Sequence, residues 1–78
     1  MACNVPGGFI TRLVRMDGKK DEMLFDWELE TAKERLREMQ KDKSGTYGKA
    51  VIINDAGTSL AEMVFVNGRW ITQYGWKV

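Results

Sequence analysis

The dipeptide Asn67-Gly68 constrains this chain more than any other pair of its residues. Apolar and polar residues alternate on both sides of it, and Asn-Gly favours the positive φ angles of a two-residue hairpin turn. A turn of that kind sets the register of the two strands that it joins. The pairs expected across the hairpin are Val66 with Arg69, Phe65 with Trp70, Met63 with Thr72, and Ala61 with Tyr74.

This register divides the hairpin into two faces, because opposed residues point to the same side of a sheet. One face bears rings, and we expect it to carry Ala61, Met63, Phe65, Trp70, Thr72, Tyr74 and Trp76. The other face is expected to carry Leu60, Glu62, Val64, Val66, Arg69, Ile71, Gln73 and Lys77. A buried aromatic side chain hides roughly 150–250 Å², so a helix is expected to cover the ring-bearing face. Trp27, from an earlier strand, is assigned to the same core, and a platform for stacking nucleotide bases is the alternative.

Upstream of the hairpin, the periodicity predicts two strands, a helix and a third strand. Phe9 to Met16 is the first strand, closed by a tight turn at Asp17-Gly18. The second strand alternates Met23, Phe25, Trp27 and Leu29 with a second row that is mostly acidic. Thr31 and Glu34 fit a capping box for a helix from Ala32 to Lys43. Tyr47 to Asn54 is the third strand, and its apolar run Val51, Ile52, Ile53 indicates cover on both faces.

The order ββαβββ predicts an α+β fold, in which one helix packs on one face of an antiparallel sheet of about five strands. Seventy-eight residues suffice for a single domain. We place it at residues 9–78, after a flexible lead-in of residues 1–8 that contains Pro6, Gly7 and Gly8. A chain of this length buries only about 60% of its unfolded surface.

Composition excludes several classes of function. The sequence has no histidine, which excludes serine-histidine and cysteine-histidine mechanisms within one chain. Its single cysteine, Cys3, permits no intramolecular disulfide and, without histidine, no zinc site. A net charge of +1 argues against a whole-surface nucleic-acid binder. With no apolar run of membrane-spanning length and no secretory signal, a cytoplasmic protein is expected, without a cofactor and without enzymatic activity.

One predicted helix cannot cover both faces of the predicted sheet. Leu60, Val64, Val66 and Ile71 form more apolar surface than a lone small domain leaves in contact with water. A second copy of the sheet in a two-fold homodimer is the first expectation for its cover. A foreign protein is the second expectation, and a sheet curled into a half barrel is the third.

Two groups of residues are candidates for binding a protein partner. The first lies on the outer side of the terminal hairpin and consists of Glu62, Arg69, Ile71 and Gln73. The second is the acidic row Asp26, Glu28 and Glu30, which would suit a partner with a basic nucleic-acid channel. Carboxylates spaced about 7 Å apart along a strand also fit a divalent metal site or an acid-base pair. We favour a solvated strand face over these two, because no fourth oxygen ligand accompanies the carboxylates.

Nucleic-acid binding is the alternative function. Basic residues cluster in the first hairpin, where they could follow a phosphate backbone, and rings near the chain end could extend the surface. The residues proposed for this role are Arg12, Arg15, Lys19, Lys20, Tyr74 and Trp76. Asp17, Asp21 and Glu22 interrupt the basic group, which favours a solvated hairpin of mixed charge.

The segments "DEMLFDWELETAKERL" and "AEMVFVNGRW", together with the small size and the lack of histidine and disulfides, give a whole-chain pattern. This pattern resembles the small α+β proteins of bacteriophages and mobile elements, including anti-CRISPR and other anti-defence inhibitors. The resemblance implies a non-enzymatic inhibitor that occludes a surface of a bacterial defence or CRISPR-Cas protein in the host cytoplasm. It assigns no functional residue, because those proteins share no signature.

Overall fold

A computed structural model describes residues 7–74 of the chain. The elements, in chain order, are β1 Phe9–Arg15, β2 Glu22–Asp26, α1 Leu29–Met39, β3 Tyr47–Asn54, β4 Ser59–Val66 and β5 Arg69–Tyr74. The order is therefore ββαβββ and the fold is α+β, as the periodicity predicts. The predicted lead-in before residue 7 and the predicted strand end at Trp76 and Lys77 lie outside the described residues.

The five strands form one antiparallel sheet in the spatial order β2-β1-β3-β4-β5. The apolar strand β3 is at the centre, and the two shortest strands, β2 and β5, form the edges. The helix packs on one side, which we call the helix face, and the opposite side is called the outer face. The Cα extents are 36 × 31 × 16 Å. A thickness of 16 Å accommodates one helix layer on one sheet layer, since packed layers lie about 10 Å apart.

The terminal hairpin follows its predicted register near the turn and departs from it further away. Asn67 and Gly68 have φ angles of 52° and 81°, as a two-residue hairpin turn of this class requires. Val66 pairs with Arg69, Phe65 with Trp70 and Met63 with Thr72, as predicted. The register then shifts, so that Tyr74 pairs with Glu62 rather than with Ala61. Because a one-residue shift exchanges the faces, Tyr74 lies on the outer face and the prediction for it was wrong.

The connection between β1 and β2 is longer than the predicted two-residue turn. Residues 16–21 separate the two strands, and only Gly18 of the Asp17-Gly18 pair has a positive φ angle, 84°. Asp17 instead uses its side chain, which accepts hydrogen bonds from the Lys19 backbone N–H at 3.1 Å and from the Arg15 Nε at 3.1 Å. Aspartate side chains commonly organise loops in this way.

In strand β2, the row that faces the core is not the one that the alternation predicts. Leu24 pairs with Thr11 and Asp26 with Phe9 on the helix face, while Met23 and Phe25 point to the outer face. The strand ends at Asp26, so Trp27 follows it and is 64% exposed. Assignment of Trp27 to the core was therefore wrong. Leu24 supplies the apolar contact, and Asp26 is bound by the helix, so this row is the one that becomes buried.

Helix α1 begins three residues before its predicted start and ends at Met39 rather than Lys43. Glu28 is the N-cap, and no side chain caps the helix, so the predicted capping box at Thr31 and Glu34 does not form. The early start has a packing reason. It places Leu29, Ala32, Leu36 and Met39 along one stripe that contacts the core.

The core lies between α1 and the centre of the sheet. Its buried apolar residues are Leu13, Ala32, Leu36, Ala50, Ile52, Ala61 and Met63. Trp70 packs against this group and donates its indole N–H to the Asp42 carbonyl at 3.0 Å. Phe65 lies beside Trp70 with 5.2 Å between ring centroids. The interpretation of Phe65 and Trp70 as helix-face residues is therefore correct. Among residues 7–74, no helix is both long and apolar enough to span a membrane.

Thr11 places a hydroxyl in this core. Its side chain is fully buried, and Oγ1 has no hydrogen-bond partner among the described residues. Replacing Thr11 with valine should therefore raise the free energy of unfolding by about 1 kcal/mol, because an unsatisfied polar group is removed at little change of shape. Urea denaturation measures this change. Thr72→Val, the same substitution at an exposed site, should stay within about 0.5 kcal/mol of wild type. A lower stability of Thr11→Val would contradict the prediction.

Candidate functional site

Among residues 7–74, no second layer covers the outer face of the sheet. Its residues follow three rows across the strands, each row joined by Cα pairing. The central row is Met23, Arg12, Val51, Glu62 and Tyr74. One flanking row is Val14, Lys49, Val64 and Ile71, and the other is Phe25, Ile10, Ile53 and Ser59. Val66 and Arg69 continue the face beside the terminal turn.

Apolar side chains on this face are most exposed toward the edges of the sheet. Val66 and Ile71 are 41% and 39% exposed, whereas Val51 at the centre is buried. Val51 is shielded without a second layer because its neighbours in register, Arg12 and Glu62, carry long side chains. Val64, Val66 and Ile71 are therefore not enclosed by their own sheet. The half-barrel expectation fails for this surface.

At the other edge, β2 and the residue after it present two rings and a thioether. Phe25 and Trp27 meet edge to face, with their centroids 4.9 Å apart. Met23, on the same strand, is 60% exposed. Sequence reasoning missed these three as surface residues because it assigned their row to the core. Exposed aromatic and methionine side chains are characteristic of protein interfaces.

A polar group occupies the middle of the apolar surface. The Lys49 Nζ lies 3.2 Å from a Glu62 carboxylate oxygen, and the Tyr74 hydroxyl donates to Glu62 Oε1 at 3.0 Å. Glu62 is thus held from two neighbouring strands. Beside it is a shallow concavity of about 410 Å³, lined by Arg12, Val14, Lys49, Val51, Ile53, Ser59 and Glu62. Charged and branched apolar side chains both line the concavity, and this mixture suits contact with a protein side chain.

Of the four predicted hairpin residues, the structure brings three to the outer face. Glu62, Arg69 and Ile71 lie there, opposite Tyr74, Val66 and Val64 respectively. Gln73 has no Cα partner, because the register shift falls at its position. Tyr74 takes the outer-face place that was predicted for Gln73. A bulge of this kind has no signature in the alternation of the two strands.

The predicted acidic row does not exist as a surface. Asp26 is 7% exposed and lies on the helix face, where Arg35 binds it through NH2 at 2.9 Å and Nε at 3.3 Å. Glu28 occupies the N-cap position of α1 but makes no side-chain capping hydrogen bond, and Glu30 belongs to the first helical turn. The three carboxylates therefore have three different surroundings, because the strand ends before Trp27. The same hydrogen bond to Asp26 raises the pKa of Arg35.

Acidic neighbours neutralise the two arginines proposed for nucleic-acid binding. Arg12 forms an ion pair with Asp21 at 2.7 Å. Arg15 binds both Asp17, at 2.6 Å, and Glu22, and its guanidinium lies 5.4 Å from the centre of the Tyr47 ring. These hydrogen bonds, with Asp17 the larger cause, raise the pKa of Arg15. The bond from Arg15 also lowers the pKa of Asp17 to about 2, with help from the Lys19 N–H.

The remaining residues of that proposal are dispersed. Lys19 and Lys20 are exposed on the loop between β1 and β2, while Tyr74 is on the opposite edge strand and is bonded to Glu62. Trp76 lies outside the described residues. The structure thus brings no continuous basic surface together from Arg12, Arg15, Lys19, Lys20 and Tyr74. Tyr47 donates to Glu22 at 2.9 Å, which raises the pKa of the phenol.

Within residues 7–74, no three acidic or cysteine side chains lie together in a group that could hold a metal ion. The candidate site described by the geometry is the outer face, with its apolar rows around Lys49, Glu62 and Tyr74. Comparison of the chain with protein-family models, with curated proteins and with solved structures gave no match.

Proposed function

We propose that this chain is a non-enzymatic inhibitor that binds a partner protein through its outer face and blocks a surface that the partner needs. The observation that carries the proposal is the exposure of apolar side chains along that face. Val66, Ile71, Phe25 and Met23 are all more than a third exposed on one side of the sheet. Apolar surface of this kind is stabilised when a second macromolecule removes it from water.

The pattern of charge favours a protein over a nucleic acid as that partner. Lys49 is paired with Glu62, and Arg12 with Asp21, so the positive charges at the centre of the face are locally balanced. Phosphate backbones bind to unbalanced positive charge, and such binding weakens steeply with added salt. An apolar surface with a few fixed ionic groups is typical of protein interfaces, where the charges determine orientation and partner choice.

We further propose that the partner is a component of a bacterial defence system, with CRISPR-Cas proteins as the first candidates. This part of the proposal rests on the whole-chain resemblance to anti-defence proteins. Occlusion requires no catalytic group on the inhibitor, which agrees with the surface that the site offers. The single cysteine fits the reducing host cytoplasm in which such an inhibitor would work.

The proposal predicts that one charge placed on the outer face abolishes inhibition. Wild-type protein, expressed in bacteria with active CRISPR-Cas immunity, should restore plating of a targeted phage. Ile71→Glu should lose this effect, because it buries a carboxylate in the apolar contact. Thr72→Glu is the matched control, since it adds the same charge to the next residue of β5 on the opposite face. It should retain inhibition.

Two results would contradict the proposal. Equal activity of Ile71→Glu and Thr72→Glu would remove the outer face from the mechanism. A gel-shift titration at two salt concentrations tests the chemistry separately, because the proposed protein complex should survive moderate salt. Tight DNA or RNA binding that falls steeply with salt would instead support the nucleic-acid alternative.

A further inference from the structure

We propose that, before any foreign partner arrives, the outer face is covered by a second copy of the chain, related by a two-fold axis parallel to β3. The inference shares this face with the proposed function, but it depends only on the arrangement of residues within the face. A two-fold contact is self-complementary, because the same surface is used by both copies. With this axis the strand order of one copy is reversed over the other, so the residues brought together must pack well or attract each other. The central row of the outer face meets this condition.

An axis along β3 exchanges β1 with β4 and β2 with β5, because β3 is the middle strand. The central row consists of Met23, Arg12, Val51, Glu62 and Tyr74. In the dimer, the partner's copy of this row lies over it in the reverse order. Arg12 faces the partner's Glu62, and this contact occurs twice. Met23 faces the partner's Tyr74, also twice, which brings a thioether onto a ring. Val51 lies on the axis and faces its own copy.

The flanking rows are compatible with the same axis. Val14 comes over the partner's Val64, and Ile53 lies over its own copy. Ile10 comes over the partner's Ser59, and Lys49 meets its own copy, which is an unfavourable contact. Its ammonium is already drawn toward β4 by Glu62 at 3.2 Å, so the two positive charges lean away from the axis in opposite directions.

The charges also disfavour a perpendicular axis through the central row. Such an axis would leave each strand over its own copy, so that Arg12 would face Arg12 and Glu62 would face Glu62. Like charges opposed across an interface are unfavourable. The arrangement with the axis along β3 replaces both repulsions with attractions. Arg12 keeps its pair with Asp21, because a guanidinium has enough donors for two carboxylates.

The size of the face is compatible with a dimer contact. Five strands about 4.8 Å apart and about six residues long give a projected area of roughly 500 Å². The relief of the side chains raises the accessible area above the projected area, toward the 800 Å² or so per partner that is common in stable interfaces. Two sheets stacked in this way lie about 10 Å apart, with strand directions within about 30°.

Solution mass tests the inference. Wild type should have twice the 8.9 kDa mass of the chain in sedimentation equilibrium or light scattering. Arg12→Glu should shift the protein to the monomer, since it places like charges over both copies of Glu62. The double variant Arg12→Glu, Glu62→Arg should restore the dimer by exchanging the two signs. Lys43→Glu, the same charge change outside the face, should leave the dimer intact.

A cross-link tests the position of the axis without depending on the folding of a charge variant. In a Cys3→Ser background, Lys49→Cys should link efficiently to its own copy through a short bismaleimide, because Lys49 lies on the axis strand β3 and its side chain is 45% exposed. Ile71→Cys should link poorly, since its two copies lie on opposite edges, roughly 19 Å apart laterally. Circular dichroism confirms that each variant is folded.

A monomeric wild type would overturn the dimer, and efficient linking of Ile71→Cys but not of Lys49→Cys would overturn the position of the axis. Failure of the charge exchange to restore the dimer in a folded double variant would overturn this arrangement. The solution mass and the cross-link report the dimer, whereas the phage-plating assay reports inhibition of a foreign partner. Because both contacts use the outer face, the foreign partner must displace the second copy, and the solution mass of wild type is therefore measured without that partner.

Discussion

Replacing Leu36 with alanine should lower the free energy of unfolding by about 2–5 kcal/mol, as is usual for leucine in a closed core. Leu36 is fully buried, and it is the largest fully buried side chain of α1. Two causes add together in this estimate. The deleted methyl groups lose their transfer free energy, and the cavity that remains loses dispersion contacts because helix and sheet relax only partly.

A loss of this size is a large fraction of the stability of a small domain, so Leu36→Ala should unfold at a much lower urea concentration than wild type. Glu34→Ala is the matched control, because it is an exposed position on the same helix and creates no cavity. Its stability should stay within about 0.5 kcal/mol of wild type. Equal midpoints for the two variants would contradict the packing of α1 on the sheet.

The second large effect is expected at the contact between β2 and α1. Arg35→Ala should cost about 3 kcal/mol, because it leaves the carboxylate of Asp26 buried without its ionic partner. Asp26 is 7% exposed, whereas the Arg35 side chain is 43% exposed. The two single variants should therefore differ. Asp26→Asn removes the buried charge and leaves an arginine that water can reach, so it should cost less than Arg35→Ala.

A double-mutant cycle measured by urea denaturation separates the pair from its surroundings. Asp26→Asn in the Arg35→Ala background should recover part of the lost stability, since no buried charge remains unpaired. Lys41→Ala is the matched control on the same helix, because it removes the fully solvated pair with Glu38 at 3.3 Å. It should cost less than about 1 kcal/mol. A cost of Lys41→Ala equal to that of Arg35→Ala would contradict the argument from burial.

Residues near one another in the sequence account for the predictions that were confirmed. The turn at Asn67-Gly68 and the pairs closest to it depend on backbone preferences of a few residues. The strand Tyr47–Asn54 agrees in both of its bounds, because its apolar run and flanking turn residues are local signals. The outer-face positions of Glu62, Arg69 and Ile71 follow from the same register.

The candidate site could be predicted only in part, since its composition depends on contacts between distant segments. Tyr74 joins Glu62 and Lys49 on the outer face because β5 bulges, and the two flanking sequences give no sign of where the bulge falls. Phe25 and Trp27 enter this surface because β2 turns its other row inward. In both strands, the alternation of residues defines two rows but does not determine which of them faces the core.

The sequence by itself determined the order of the elements, the terminal turn and the general expectation that one helix leaves one face of the sheet uncovered. Only the tertiary structure decided that Leu24 and Asp26 face the core, that the helix starts at Leu29 and that Tyr74 faces outward. The physical reason is the range of the forces involved. Backbone preferences act over a few neighbouring residues, whereas the Asp26–Arg35 ion pair and the packing of Leu29 depend on segments that meet only in the folded chain.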